Sequence, residues 1–145
     1  MAKTTEREIV QQLDRAFDNL IDSLKDLASS VQPDLLLRSA AVIEQTCGGL
    51  TANLWDDPFE WTLPETLSNP ERIIEYLSEV DLARQRAFNS IRDDTELTKY
   101  ISAPTGEQLL VNLLLDTLVK AGEYRGRAVA TSKLLSGEGT PGFII

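Results

Sequence analysis

Asp116, Lys120, Glu123, Tyr124 and Arg127 place two acids, two cations and a phenol within about three turns of one helix-forming stretch. Such a set has a definite chemical use. Tyr124 would supply a proton, and Lys120 or Arg127 would stabilise the negative charge that develops on a substrate. The same spacing has a simpler structural meaning. Asp116 and Lys120, like Glu123 and Arg127, stand four apart with the acid first, the favoured order for surface ion pairs worth about 0.2–0.5 kcal/mol each. Tyr124 differs because it falls on the apolar seam of its segment, where a buried phenol needs a hydrogen-bond partner. It is therefore either a core residue or the wall of a pocket.

Other chemistry is limited by what the chain lacks. Among its 145 residues there is no histidine, which removes the commonest transition-metal ligand and the usual acid–base group near neutral pH. Cys47 is the single cysteine, so the chain has no internal disulfide, thiolate metal pair or dithiol motif. With no histidine to activate it, Cys47 reads as a small buried apolar residue. Asp56-Asp57 and Asp93-Asp94 lack the spacing of a calcium loop and read as solvated loop charge. No glycine-rich phosphate loop follows a strand.

Four segments with helical periodicity must position these residues. In the first, over roughly residues 5–30, Val10, Leu13, Phe17, Leu20, Leu24, Leu27 and Val31 recur at steps of three and four. The second opens at Gln32-Pro33-Asp34, with proline in the first turn, and runs through LLLRSAAVIEQTCGGLTANLW. A loop follows, DDPFEWTLPETLS, whose Phe59, Trp61 and Leu63 are expected to cover one end of the core. Asn69-Pro70-Glu71 starts the third helix with a cap, a first-turn proline and an acid suited to the helix dipole. Its stripe is Ile73, Leu77, Val80, Ala87 and Ile91, flanked by Ile74 and Phe88. Arg84 interrupts this stripe, its stem expected along the core edge with its head in water. After a second loop, over roughly residues 93–104, the last helix is expected to begin at Thr105, with Gln108 at capping-box spacing, and to stop at Gly137. Its seam is Leu110, Leu114, Thr117, Ala121, Tyr124, Ala128, Thr131 and Leu135.

These elements predict an all-α four-helix bundle in a single domain covering residues 1–145, with long loops after helices two and three that allow crossovers. The glycines need their own explanation. Gly122 and Gly126 each cost about 1 kcal/mol in a helix interior. Their spacing suggests close approach of another helix, and Gly48 and Gly49 are the expected opposite surface, unless that pair kinks its own helix.

The run APTGEQLLVNLLLDTLVKAGEYRGRAVATSKLL resembles the final helix of the DinB-like (DinB/YfiT-like) superfamily of metalloenzymes. That helix ends in His-x-x-x-His-Arg-Gly-Gln before an apolar stretch. Here Tyr124-Arg125-Gly126-Arg127 stands for His-Arg-Gly-Gln, and Lys120 stands for the first histidine. ERIIEYLSEVDLARQRAFNSIRDDTELTKYISAPTG is similar to the family's third helix and its connection, so the resemblance covers about half the chain in detail. The family's third metal-binding histidine, from helix two, falls near Gln45 on AVIEQTCGGLTANLW. The resemblance thus implies the fold and a remodelled pocket with Gln45, Lys120, Glu123, Tyr124 and Arg127 as candidates. It does not carry over a metal, or the metal-dependent hydrolase and thiol S-transferase activities of some relatives.

The chain carries a formal charge of −9, from 23 acidic and 14 basic residues, which argues against nucleic acid as a partner. The single cysteine suits a reducing, cytoplasmic setting, and the charged start and the lack of a long apolar run point to a protein that does not enter membranes. The leading expectation is a non-enzymatic module without cofactor that binds a small molecule or a protein and forms a homodimer. The alternative is a metal-independent transferase or hydrolase using Tyr124 and Lys120. The apolar residues Phe143, Ile144 and Ile145 suggest a docking segment.

Overall fold

The computed structural model describes residues 6–31, 33–53, 55, 69–104 and 106–136. Four helices carry the fold: α1 (Glu8–Leu27), α2 (Pro33–Ala52), α3 (Pro70–Asn89) and α4 (Leu110–Ser136). Between α3 and α4 lie a 3-10 helix (Asp94–Thr98) and a two-stranded antiparallel hairpin of β1 (Tyr100–Ala103) and β2 (Gly106–Leu109). The all-α expectation therefore holds in its main feature, with a small sheet added.

Packing runs from α1 to α3, from α3 to α2 and from α2 to α4, while α1 touches α2 and α4 more lightly. Helix directions follow from the cross-links. Asp14 and Asp18 of α1 reach Arg84 of α3, while Arg7 donates to the carbonyls of Phe88 (2.9 Å) and Ile91 (3.3 Å) at the end of α3, so α1 and α3 are antiparallel. Ser39 meets Ala121 and Thr46 meets Thr117, so α2 and α4 are antiparallel too. Only residues 28–32 join α1 to α2, too few to retrace a 20-residue helix about 30 Å long. It follows that α2 and α3 point the same way and α4 runs with α1. The long connection after α2 is the consequence, since parallel neighbours need the chain carried back along their length.

The seam of α1 departs slightly from its expected heptad. Ile21 and Ala28 are buried with Val10, Leu13, Phe17 and Leu24, whereas Leu20, Leu27 and Val31 are only partly buried. A straight helix has 3.6 residues per turn, so a strict 3.5 repeat drifts off the core within two heptads. Asp94, expected as solvated loop charge, instead caps α1. Its carboxylate accepts from the backbone N–H of Ile9 (3.2 Å) and Val10 (2.9 Å). Asp93 likewise caps the 3-10 helix, accepting from the N–H of Thr95 at 3.0 Å. At α3, Asn69 accepts from the N–H of Arg72 at 2.8 Å with Pro70 in the first turn, as the sequence predicts.

The expected start of the last helix needs correction. Residues 106–109, including the supposed capping-box Gln108, form β2 and pair with 100–103, and α4 begins at Leu110. The hairpin captures the backbone groups that a helix start would have used: the N–H of Leu110 donates to the carbonyl of Lys99 at 2.8 Å. Gly106, at φ +116°, occupies a conformation that side-chain-bearing residues rarely adopt, which favours the hairpin over a helical turn there.

The core gathers Phe17, Ile21, Leu24, Leu36, Leu37, Ile43, Ile73, Leu77, Val80, Phe88 and Leu114, with the Phe17 and Phe88 rings 5.3 Å apart and tilted by 57°. The expected covering residues Phe59, Trp61 and Leu63, the pair Asp56-Asp57, and residues 137–145 lie outside the described residues.

Candidate functional site

Between α2 and α4 lies a cleft of about 180 Å³, lined also by Trp55 and bordered by the hairpin. Antiparallel packing of α2 on α4 sets Val42, Gln45 and Thr46 opposite Leu113, Asp116, Thr117 and Lys120, while Ala103, Pro104 and Gln108 supply the hairpin side. Each helix contributes positions three and four apart, hence one face. The floor is polar but internally satisfied. The Thr117 hydroxyl donates to the carbonyl of Leu113 (2.8 Å) and meets the Thr46 hydroxyl at 2.7 Å. One turn away, Ser39 donates to the carbonyl of Ala121 at 2.7 Å. These bonds fix the register of α2 on α4 and hence the shape of the cleft.

Trp55 and Gly49 explain each other. Asn53 leaves the end of α2 at φ +60°, and its side chain accepts from the Trp55 indole N–H at 2.9 Å. This turn lays the indole against the helix so closely that a Cβ on Gly49 would stand 2.1 Å from the Trp55 ring. The Gln45 amide donates to the Trp55 carbonyl, completing the corner. The helix runs without interruption through Gly48-Gly49, and the close neighbour at Gly49 is Trp55.

Within the described residues no other element of this chain packs against Gly122 or Gly126. A Cβ at either position would meet no described atom within 4 Å, because both glycines lie on the outer side of α4. They are not the counterpart of Gly48 and Gly49.

The remaining candidates divide between two places. Lys120, Glu123, Tyr124 and Arg127 line a shallow depression of about 150 Å³ along α4, and only Lys120 also borders the cleft that holds Gln45. Lys120, Glu123 and Arg127 are exposed and Tyr124 is half-buried, so this depression stays wet, and water weakens charge stabilisation. Among the described residues neither Asp116–Lys120 nor Glu123–Arg127 closes into an ion pair. Arg127 instead sits with its guanidinium carbon 5.7 Å from the centre of the Tyr124 ring.

Gln45, Lys120 and Tyr124, which stand where the resemblance places metal-binding histidines, do not fit a divalent ion. They offer an amide already donating to Trp55, an exposed ammonium and a phenol outside the cleft lining. Among the described residues no group of three or more His, Cys, Asp or Glu side chains is arranged to hold a metal.

Two charged arrangements escaped the sequence reading. Arg84, 7% exposed, does not send its head to water: it bonds Asp81 (2.9 and 3.0 Å), Asp14, and Asp18 at 3.4 Å. Burial opposes its charge, but the hydrogen bonds it donates to Asp81 and Asp14 outweigh that and hold its pKa above the ordinary value. A signal for this was present, since Arg84 breaks an apolar stripe and Asp14 and Asp18 flank the α1 seam four apart. The second is Glu44, which accepts from the Tyr76 hydroxyl at 2.8 Å. Burial pushes the Glu44 carboxyl up, the Tyr76 bond pulls it down, and nearby Glu79 adds to the rise. Cys47 is fully buried, and burial pushes its thiol up to about 12, which makes it inert as a nucleophile near neutral pH.

Comparison of the chain with models of known families, with curated proteins and with solved structures finds no match.

Proposed function

We propose that the chain is a DinB-like helical bundle whose metal-gathering positions have become part of a small-molecule cleft, making it a non-enzymatic binding module. The observation that supports this reading is the meeting of Gln45 and Lys120 on opposite walls of one cleft. The sequence resemblance assigns both residues to former histidine positions, on α2 and on α4. Binding is favoured over catalysis because, among the described residues, the Thr46 and Thr117 hydroxyls bond to each other and to a backbone carbonyl rather than to a base, and Tyr124 is not among the residues lining the cleft.

The bundle works as a homodimer in this proposal. Leu115 and Val119 are 45% and 61% exposed on the outer side of α4, and Gly122 and Gly126 leave the neighbouring surface open to close approach.

Screening a fragment library by NMR against the isotope-labelled full chain tests the binding reading. Binders are expected to shift signals of Gln45, Trp55 and Thr117, and Gln45→Ala or Lys120→Ala is expected to weaken them about tenfold, or about 1.4 kcal/mol. A library that leaves the cleft signals unmoved would sink the reading. So would purified protein carrying a stoichiometric transition metal that is lost on substituting Lys120 or Tyr124.

A further inference from the structure

We infer that the ligand of this cleft is a small zwitterion of the free amino-acid type, its carboxylate held by Lys120 and its ammonium by Asp116. The inference rests on the binding reading above and adds the chemical class.

Charge comes first. Asp116 and Lys120 both line the cleft one turn apart on α4, about 6 Å along the axis, yet they do not pair with each other. No other formally charged side chain lines it among the described residues. A rim with one unit of each sign sums to zero, so a dianion such as a phosphate ester would face Asp116 and a dication would face Lys120. A ligand that carries both signs a few ångströms apart meets each with its complement.

Polar capacity agrees. Gln45 commits its amide N–H to the Trp55 carbonyl, and its Oε1 accepts from no described residue, which leaves an acceptor suited to an ammonium. The Thr46 and Thr117 hydroxyls are engaged with each other and with the carbonyl of Leu113, so they shape the floor without demanding a partner.

Size and apolar lining decide the rest. At about 180 Å³ the cleft falls well short of the roughly 300–1,000 Å³ of drug-sized sites. That space suits a molecule of amino-acid size better than a nucleotide. Val42, Leu113 and Trp55 in the lining offer an apolar side chain a place to lie.

Isothermal titration of the full chain with L-valine and L-leucine, against N-acetyl-L-leucine and L-leucinamide, tests the assignment. The free amino acids are expected to bind saturably, and each analogue, lacking one charge, at least tenfold more weakly. Lys120→Ala is expected to abolish the preference for L-leucine over its amide, and Asp116→Asn the preference over the N-acetyl form. Both residues are exposed, so circular dichroism should match wild type. Equal affinity for the acid and both analogues, or unchanged preferences in the two variants, would overturn the zwitterion. If fragments of other charge shift the cleft signals while neither amino acid binds, the zwitterion is wrong and the cleft reading survives. If nothing shifts them, both fall.

Discussion

Arg84 is the residue on which most polar structure converges. Its guanidinium sits 7% exposed among Asp14, Asp18 and Asp81, whose side chains still reach water. Removing a buried partner typically costs 3–5 kcal/mol, and solvation of the acids reduces this, so Arg84→Met is expected to lower stability by about 2–3 kcal/mol in urea unfolding. Arg84→Lys should recover only part, because one ammonium cannot serve three carboxylates as a planar fork does; full recovery would show that charge alone matters. Glu44 gives the pH-dependent counterpart. Burial raises its folded pKa above the ordinary 4.5. The folded state then holds its proton more tightly than the unfolded chain, so this residue's contribution to stability falls as pH rises from about 4.5 through the raised value. Glu44→Gln, which keeps an acceptor for Tyr76, should gain stability relative to wild type between pH 4.5 and 7.5. A gap that does not change with pH would show that the Glu44 proton is not coupled to folding.

Among the elements, α2 and α4 are defined by different uses of glycine. On α2, Gly49 admits the Trp55 ring to within 2.1 Å of where a Cβ would lie, whereas on α4 an added Cβ at Gly126 meets nothing described. Gly49→Ala is therefore expected to push the indole off the helix, red-shift tryptophan emission and lower stability by about 1–3 kcal/mol. Gly126→Ala should leave emission unchanged and, at concentrations too low for copies to associate, add up to about 1 kcal/mol of helix propensity. Opposite signs for the two changes are the expected result; matching losses would mean that Gly126 packs against something. The hairpin shows a different lesson. Thr105 to Gln108 carries a plausible capping spacing, but pairing of 100–103 with 106–109 delivers long-range backbone bonds that a local cap cannot match. The start of α4 at Leu110 follows from that competition.

The whole molecule combines an acidic surface with one apolar outer stretch of α4. At −9 net charge, copies repel unless a specific surface outweighs it, and Leu115 and Val119 with the open glycines beyond them are the surface proposed here. Sedimentation velocity is expected to show a dimer that Val119→Glu dissociates without unfolding; a wild-type monomer at high concentration would remove the homodimer. Among the described residues no helix is long and apolar enough to cross a membrane. The amino-acid sequence by itself determined four amphipathic helices, the Asn69-Pro70 start, the buried stripe of α3 and the inert setting of Cys47. All of these depend on periodicity and side-chain type within about a dozen residues, where local rules are strong. Tertiary structure alone decided that α1 lies against α3, that Asp94 caps a helix 85 residues away, that Asp14 and Asp18 claim Arg84, and that Gln45 parts company with Tyr124. These pairings depend on helix direction and rotation. Both are set by which apolar faces bury one another and how far the connections reach, information that no single segment carries.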